Sequence, residues 1–266
     1  MKTSLKIFSL FVTFGILMFS CESPEDPDPD QPNIYLDANG VTIKCEDCNV
    51  GDKGVVNGVE YEVVNNQLIR QRRDEEADMT TLCTSLVTDL KDFFLLSTGN
   101  GEFVINDFNQ PIGNWDVSSV SDMSGMFAGT EFNQPIENWD VSNVENMRGM
   151  FYQSNFNQPI GDWDVGNVLD MNAMFTFTQF NQPIEGWDVS KVNDMEGIFW
   201  QASFNQPIGN WDVGRVTNMR GMFYDTPFNQ DISRWCVTNI TSEPSDFSIY
   251  APLTEENKPK WGTCPE

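Results

Sequence analysis

The chain has 266 residues, of which 40 are acidic and 15 are basic, so its formal net charge is −25. This excess of negative charge disfavours nucleic acid and bare anionic lipid as ligands. Histidine is absent. The chain therefore lacks the commonest general base near neutral pH and the commonest transition-metal ligand, and we expect no enzyme activity, no cofactor and no metal site.

Residues 1–20 have the pattern of a secretory signal peptide. Lys2 and Lys6 precede an apolar run that ends at Phe19, and this run is too short to span a bilayer comfortably. The run is followed by Ser20 and Cys21, which resembles the lipobox of bacterial lipoproteins, although Phe19 is larger than the residue usual there. We expect export with lipidation at Cys21; a cleaved signal without acylation is the alternative.

Residues 21–32 are rich in proline and acidic residues, and after Cys21 they contain no apolar side chain. Such a segment has nothing to bury and predicts an extended, solvated, lipidated tether. An acidic stretch behind the acylated cysteine also resembles the surface-export signal of Bacteroidota lipoproteins. A plain spacer is the alternative interpretation.

Residues 33–83 form a separate N-terminal piece. Strands are predicted over 35–44 and 55–64, with a two-residue hairpin turn at Asn57 and Gly58, and the polar segment 65–77 is compatible with a helix. We interpret this piece as a β-hairpin cap that covers the first repeat.

A 24-residue repeat occupies most of the remaining chain. A period in the twenties without insertions is typical of a solenoid, in which each unit buries its apolar edge against its neighbours. The repeat is marked by six Phe-Asn-Gln motifs and six tryptophans, which keep the same step: Phe108, Phe132, Phe156, Phe180, Phe204 and Phe228, and Trp115, Trp139, Trp163, Trp187, Trp211 and Trp235.

The pattern within one unit predicts an α/β repeat solenoid with a leucine-rich-repeat-like fold. Alternation over 108–112 indicates a short parallel strand, although Pro111 removes a hydrogen-bond donor, so a strand around Val117 and Val120 is the alternative. Met123, Met126 and Phe127 have the spacing of a short helical turn, with the Asp or Asn at position 122 as its cap.

The repeats are expected to cover 84–247, and residues 248–266 are expected to form a C-terminal cap. At the first end, Leu90 takes the place of Met123, and the nine surplus residues are assigned to a loop around 97–102. At the last end, Phe247 is expected to hold the register, while Glu243 and Asp246 replace two inner methionines.

The cysteines predict disulfide bonds in an oxidising compartment. Cys236 and Cys264 would join the tail to the last repeat. Cys83 would pair with either Cys45 or Cys48, and this choice stays open. A zinc ribbon at the Cys45 pair is disfavoured because it needs a second such pair.

The repeat unit, with its Phe-Asn-Gln-Pro-Ile, Trp-Asp-Val and Met-Phe motifs, resembles the BspA-like surface-protein repeat, also called DUF285, over about 84–247. This resemblance implies a secreted or lipid-anchored bacterial surface protein that acts in adhesion. Placement on the outer membrane, attached through the lipid and exposed at the cell surface, follows from it together with the N-terminal motifs.

The repeated aspartates at 116, 140, 164, 188 and 212 would line up from unit to unit. Such a row could bind calcium, but the dense Asp-rich loops of calcium sites are missing. Turn formation explains these residues at least as well, because an Asp side chain accepts from the backbone two residues on.

Binding residues are expected where the units differ. Large or charged side chains follow the Met-Phe pair or lie just before it, and they either bind a partner or pack on one another between units. The expected function is non-catalytic recognition or adhesion, with carbohydrate binding in polysaccharide capture as the alternative and a protein or glycan on another surface as the partner. The candidate residues are Arg148, Tyr152, Phe177, Trp200, Arg220 and Tyr224.

Overall fold

The computed structural model describes residues 32–97 and 103–265. The predicted signal peptide over 1–20, the lipidation site Cys21 and the tether up to residue 31 lie outside the described residues, as does most of the predicted loop around 97–102. Among the described residues, no helix has the length and apolar character that a membrane span requires.

The N-terminal piece contains two small sheets. Strand β1 (Asn33–Leu36) pairs antiparallel with β2 (Ile43–Glu46), so the single strand predicted over 35–44 is wrong: the chain turns back between the two. Strand β3 (Lys53–Val56) pairs antiparallel with β4 (Val59–Asn65). The hairpin predicted at Asn57 and Gly58 is confirmed, and both residues have the positive φ that such a turn needs.

Helix α1 (Asn66–Asp74) follows β4 directly. Its N-terminus is capped by Asn65, whose side chain accepts from the amides of Gln67 and Leu68. A short 3-10 helix (Met79–Thr81) then leads into β5 (Leu82–Leu86), which pairs in parallel with β4 and completes a three-stranded sheet.

The last regular elements before the repeats are strands β6 (Leu96–Ser97) and β7 (Phe103–Val104), which pair antiparallel. A second 3-10 helix (Glu255–Asn257) lies near the C-terminus. Between residues 105 and 254, all of which the structure describes, there is neither a strand nor a helix.

The predicted α/β repeat solenoid is therefore wrong. In the described residues, small sheets and one α-helix lie in the N-terminal part, and the repeat units are built from turns. Neither 108–112 nor the alternative around Val117 and Val120 forms a strand. Between residues 105 and 254, parallel pairing is limited to isolated single-residue bridges, such as Asp122 with Asn146 and Asn146 with Asp170.

The predicted helical turn at Met123 to Phe127 fails for a backbone reason. Gly125 and Gly129 both have positive φ, and the same left-handed conformation recurs four residues apart in every later unit. A left-handed residue at each fourth position interrupts a right-handed helix. The amides of Met123 and Phe127 instead donate to the carbonyls of Asn146 and Met150 in the next unit.

Asparagine and glutamine side chains connect the units where a strand was expected. Asn109 Oδ1 accepts from the backbone amide of Asn133 at 3.0 Å and from Nε2 of Gln134 at 3.1 Å. The same pattern continues from Asn133 to Asn157 and beyond. A side-chain amide thus replaces the backbone ladder, which is why the neighbouring prolines are tolerated.

Each repeat buries a tryptophan whose indole N–H is satisfied by the preceding unit. Trp115 Nε1 donates to Met79 O at 2.9 Å in the N-terminal piece. The next five indoles donate to an isoleucine carbonyl 27 residues earlier, at 3.0 to 3.3 Å. Because a buried N–H without an acceptor is costly, this bond fixes each unit against its neighbour.

Phenylalanine rings form the centre of the core. The ring of Phe151 stacks on two other rings. Its centroid lies 3.9 Å from that of Phe156 and 5.7 Å from that of Phe175, and the ring is nearly parallel to both. Phe156 and Phe180 are likewise parallel at 6.2 Å. These rings are fully buried, and their stacking continues the core from one unit to the next.

The two ends of the repeat region differ from its middle. Leu90 N donates to Asp122 O, in the way that Met123 N donates to Asn146 O, so Leu90 does take the methionine place. At the far end, the step to the last unit is one residue longer than the 24-residue repeat. Phe223 N donates to Phe247 O, whereas Phe199 N donates to Met222 O. Phe247 therefore occupies a methionine place, and the predicted register there is wrong.

The segment after residue 247 covers the last unit. Trp261 packs edge-on against Phe247 at 5.0 Å, and Ile232 N and Val237 N donate to the carbonyls of Asn257 and Thr263. Cys236 and Cys264 form a disulfide with their Cα atoms 4.1 Å apart.

Replacing Trp187 by Phe should lower the free energy of unfolding by about 1–3 kcal/mol, because the buried bond from the indole to Ile160 O is lost and that carbonyl keeps only the amide of Trp163 as a donor. Urea denaturation measures this difference. The control is Trp200→Phe, where the tryptophan is half-buried at the surface and lies outside the row of indole bonds. Equal losses in the two variants would show that the indole bond contributes nothing beyond ring size.

Candidate functional site

Aromatic side chains line one side of the repeats, immediately after the buried Met-Phe pair. Tyr152, Trp200 and Tyr224 occupy the same place in their units and are half-buried. In the unit between the first two, that place is taken by Thr176, which is buried and donates to Gly197 O at 2.6 Å. The aromatic residue moves one position on, to Phe177, which is 41% exposed.

The rings contact one another from unit to unit. Tyr152 meets Phe177 at 5.9 Å in a perpendicular arrangement, and Trp200 stacks on Tyr224 at 4.0 Å. Tyr224 in turn meets Tyr250 at 5.5 Å, again perpendicular. We call these five residues, Tyr152, Phe177, Trp200, Tyr224 and Tyr250, the aromatic row.

Tyr250 is the member that sequence reasoning missed. It is 75% exposed, and its positive φ of 67° is the counterpart of 52° at Asp225 in the preceding unit. The step between them is one residue longer than the repeat, because of the extra residue before Phe247. A strict 24-residue period points to Ile249 instead. The irregular spacing near the end of the repeats was the only sequence feature that could have indicated the shift to Tyr250.

A shallow depression of about 350 Å³ lies in the middle of the aromatic row. Four of the six candidate residues line it, and Tyr224 joins them through its ring contact with Trp200, whereas Arg148 does not line it. The lining residues are Tyr152, Asn172, Ala173, Thr176, Phe177, Glu196, Gly197, Trp200 and Arg220.

The Trp200 ring is held from one side by the next unit. A Cβ atom at Gly221 would lie 2.3 Å from this ring, so only glycine leaves room for it. Gly221 also has a φ of 60°, which glycine adopts at little cost. Trp200 is therefore fixed against Gly221 and Tyr224 while part of its surface stays accessible. Trp200 and Tyr224 therefore pack between units and also stay accessible to a partner.

Phe177 has an unfavourable backbone. Its φ is 61°, and bulky side chains rarely adopt this left-handed conformation. The equivalent positions in other units hold Gly129, Gln153, Gln201 and Asp225. An exposed phenylalanine in a strained conformation is a pattern that is often found at functional sites.

Charged residues flank the aromatic row. Arg220 lies 3.4 Å from Glu196 and 3.5 Å from Asp246, and it stays half exposed while bridging them. Burial raises the pKa of Tyr224, and the neighbouring Tyr250 and Asp225 act in the same direction. The surface thus mixes rings, one bridged arginine and several carboxylates.

Burial also raises the pKa of Asp170, and the neighbouring carboxylate of Asp194 adds to this effect. A hydrogen bond from the amide of Asn172 and the positive charge of exposed Arg148 act in the opposite direction. The equivalent residues in other units include Asn146 and Asn218, so an amide also fits this place.

A second cavity, of about 710 Å³, lies beside α1 at the start of the repeats. Its polar side chains are already engaged: Arg73 donates to Phe93 O and Asp74, and Gln110 accepts from Met79 N. Asn106 donates to Phe94 O. The cavity therefore offers few groups that converge on a ligand.

The remaining sequence candidates have structural contacts. The repeated aspartates at 116, 140, 164, 188 and 212 each accept from the amide two residues on, as expected for turn formation. In the described part of the chain, no group of three or more acidic or cysteine side chains is arranged to hold a metal ion. Cys45, Cys48 and Cys83 are free thiols.

The fold and the aromatic row define a protein of stacked, turn-built repeats with an aromatic surface. The family model described as "Mycoplasma protein of unknown function, DUF285" matches residues 65–179 and 152–261, and together these ranges cover most of the chain. The chain therefore belongs to the DUF285 family. Neither a curated protein nor a solved structure matches it significantly.

Replacing Asp170 by Asn should raise the thermal unfolding midpoint at pH 7. The pKa of Asp170 is raised in the folded chain, so folding becomes less favourable as the carboxyl ionises, and an amide avoids this cost. Well below pH 3.8, the ordinary value for the side chain, both states are protonated and the gain should vanish.

Asp188→Asn is the matched control, and its expected change in the unfolding midpoint has the opposite sign. Hydrogen bonds from Ser190 lower the pKa of Asp188, so its carboxylate stabilises the fold at pH 7 and its loss should lower the midpoint. Equal effects of the two substitutions at pH 7 would contradict the electrostatic explanation.

Proposed function

We propose that the chain is a non-catalytic recognition protein that binds a protein partner through the aromatic row. The observation that carries this proposal is the convergence of Tyr152, Phe177, Trp200 and Arg220 around one depression. Trp, Tyr and Arg are the residues that most often dominate binding energy at protein interfaces.

Pre-organisation supports the same surface. Trp200 is held by Gly221 and Tyr224, and Arg220 is held by Glu196 and Asp246. Side chains that are already fixed lose less conformational entropy when a partner binds. The row therefore has the properties of a preformed binding face.

Ring orientation favours protein over carbohydrate. Two of the three ring contacts in the row are perpendicular, with interplanar angles of 83° and 80°. Apart from Trp200 and Tyr224, which stack on each other, successive rings therefore do not present parallel faces on which sugar rings would stack, and charged groups of both signs lie among them. Carbohydrate binding is the alternative, and the depression between Phe177 and Trp200 is where it would occur.

We also propose that the protein is displayed at a bacterial cell surface, anchored in the outer membrane through lipidated Cys21 and contacting the membrane only through that lipid. The N-terminal motifs support this placement, and the acidic, proline-rich segment up to residue 32 would hold the repeats away from the lipid. Adhesion to another cell or surface protein suits a tethered, non-catalytic binding face.

Alanine at Phe177 should weaken binding to the protein partner at least about tenfold, since truncation of a central aromatic hot spot typically costs about 2 kcal/mol or more and about 1.4 kcal/mol is tenfold in affinity. Partners are first found by presenting the chain from residue 22 onward to arrays of purified cell-surface proteins and of polysaccharides, and affinities are then measured by surface plasmon resonance.

Gln153→Ala is the matched control, because Gln153 has the same left-handed backbone one unit earlier, with φ 54°. Its binding should equal that of the parent chain. Unchanged binding by the Phe177 variant would exclude the aromatic row as the protein-binding face. Binding to polysaccharides alone would favour the carbohydrate alternative.

A further inference from the structure

Three thiols converge where β2 and β5 meet. Ser85 Oγ accepts from the amide of Cys45 at 3.1 Å, and Cys83 Sγ donates to Ile43 O at 3.8 Å. These two contacts lie side by side and align residues 43–45 of β2 with residues 83–85 of β5. The alignment brings the side chains of Cys45 and Cys83 together.

Cys45 is the middle member of the cluster. Cys45 and Cys48 both pack against the buried cluster of Ile43, Val63 and Cys83. The neighbouring Cys83 thiol raises the pKa of Cys45, whereas the neighbouring Cys48 thiol lowers it, so Cys45 has a thiol neighbour on either side. The three thiols also differ in solvent exposure: Cys45 and Cys48 are half-buried, whereas Cys83 is fully buried. An oxidant from solvent therefore reaches Cys48 and Cys45 before it reaches Cys83.

We propose that Cys45, Cys48 and Cys83 form a thiol–disulfide exchange site that reacts with a small-molecule disulfide and ends as a Cys45–Cys83 bond with Cys48 as a free thiol. The reaction needs no further reagent. It moves a disulfide from the surface of the N-terminal piece into its core.

The steps balance. The Cys48 thiolate attacks the external disulfide and releases one small thiol, and Cys45 then attacks the Cys48 sulfur and releases the second, giving Cys45–Cys48. The Cys83 thiolate next attacks the Cys45 sulfur and displaces Cys48, which takes up a proton. Two protein thiols are oxidised and one external disulfide is reduced to two thiols.

The pKa directions mark Cys83 as the readier nucleophile for the last step, and they make the first attack by Cys48 slow. A hydrogen bond from Cys45 lowers the pKa of Cys83, whereas burial raises the pKa of Cys48 to about 12. The Cys48 thiolate that this step displaces is protonated near neutral pH because of its raised pKa, so its return attack on the Cys45–Cys83 bond is slow.

The final bond would fix the N-terminal strands to the repeats. Thr84 and Ser85 both donate to Asp116 of the first repeat, at 3.0 and 2.7 Å, so β5 is already attached to it. A Cys45–Cys83 bond adds β2 to the same unit. Oxidation would thus join the strands at this end of the molecule covalently.

The test is incubation of the reduced, purified chain with oxidised glutathione, followed by alkylation and mass spectrometry of non-reduced peptides. A protease that cleaves after Glu46 separates Cys45 from Cys48, so the two possible bonds are distinguished. We expect Cys45–Cys83 at the end point, alkylated Cys48, and an unfolding midpoint that rises more on oxidation in the parent chain than in Cys83→Ala, since the Cys236–Cys264 bond re-forms in both.

Variants separate the steps. Cys83→Ala should stop at Cys45–Cys48, and Cys48→Ser, at a half-exposed position that tolerates serine, should still form Cys45–Cys83 but more slowly. Persistence of three alkylatable thiols, a final Cys45–Cys48 bond in the parent chain, or glutathione retained on Cys48 would each overturn the proposal. Because Cys48 is half-buried whereas Cys83 is fully buried, Cys48→Ser disturbs the core less and keeps the test informative if Cys83→Ala fails to fold.

Discussion

The repeat region depends on one constraint: each unit buries an indole whose N–H finds its acceptor only in the unit before it. Trp139 requires Ile112 O, and Trp163 requires Ile136 O, so neither ring can be buried in an isolated unit without leaving a polar group unsatisfied. Stacked phenylalanines fill the space beside these indoles. Because each buried indole N–H is hydrogen-bonded by the neighbouring unit, turns alone, without helices or strands, suffice to build this part of the molecule.

The apolar core was predictable from sequence, whereas the backbone conformation was not. The pattern in the first unit predicts an inner layer at positions 108, 112, 115, 117, 120, 123, 126 and 127. All of these are buried except Phe108, which is half-buried, because hydrophobic periodicity reports burial directly. The same spacing at Met123, Met126 and Phe127 wrongly indicated a helix. Left-handed residues such as Ala173 and Gln153 leave no mark in a hydrophobic pattern, and they turn the chain so that its amides face the next unit.

The candidate site was predictable where the repeat was regular. Comparing units at one position found Tyr152, Trp200 and Tyr224, and the structure places them in one row. It could not find Tyr250, since one inserted residue shifts the last unit. Nor could it show that Cys45 lies between Cys48 and Cys83, because that depends on how β2 aligns with β5.

Amide hydrogen exchange measured by NMR tests most directly whether the units are joined as described. The amides of Met123, Met147 and Met171 each donate to a carbonyl of the next unit, at 2.9 to 3.0 Å. We expect them to exchange at least roughly a hundredfold more slowly than the turn amides of Ser142 and Ser190, which donate to aspartate side chains of their own units, since only the exchange of the methionine amides requires the units to separate. Comparable rates for the two groups would contradict the joining of the repeats through these bonds.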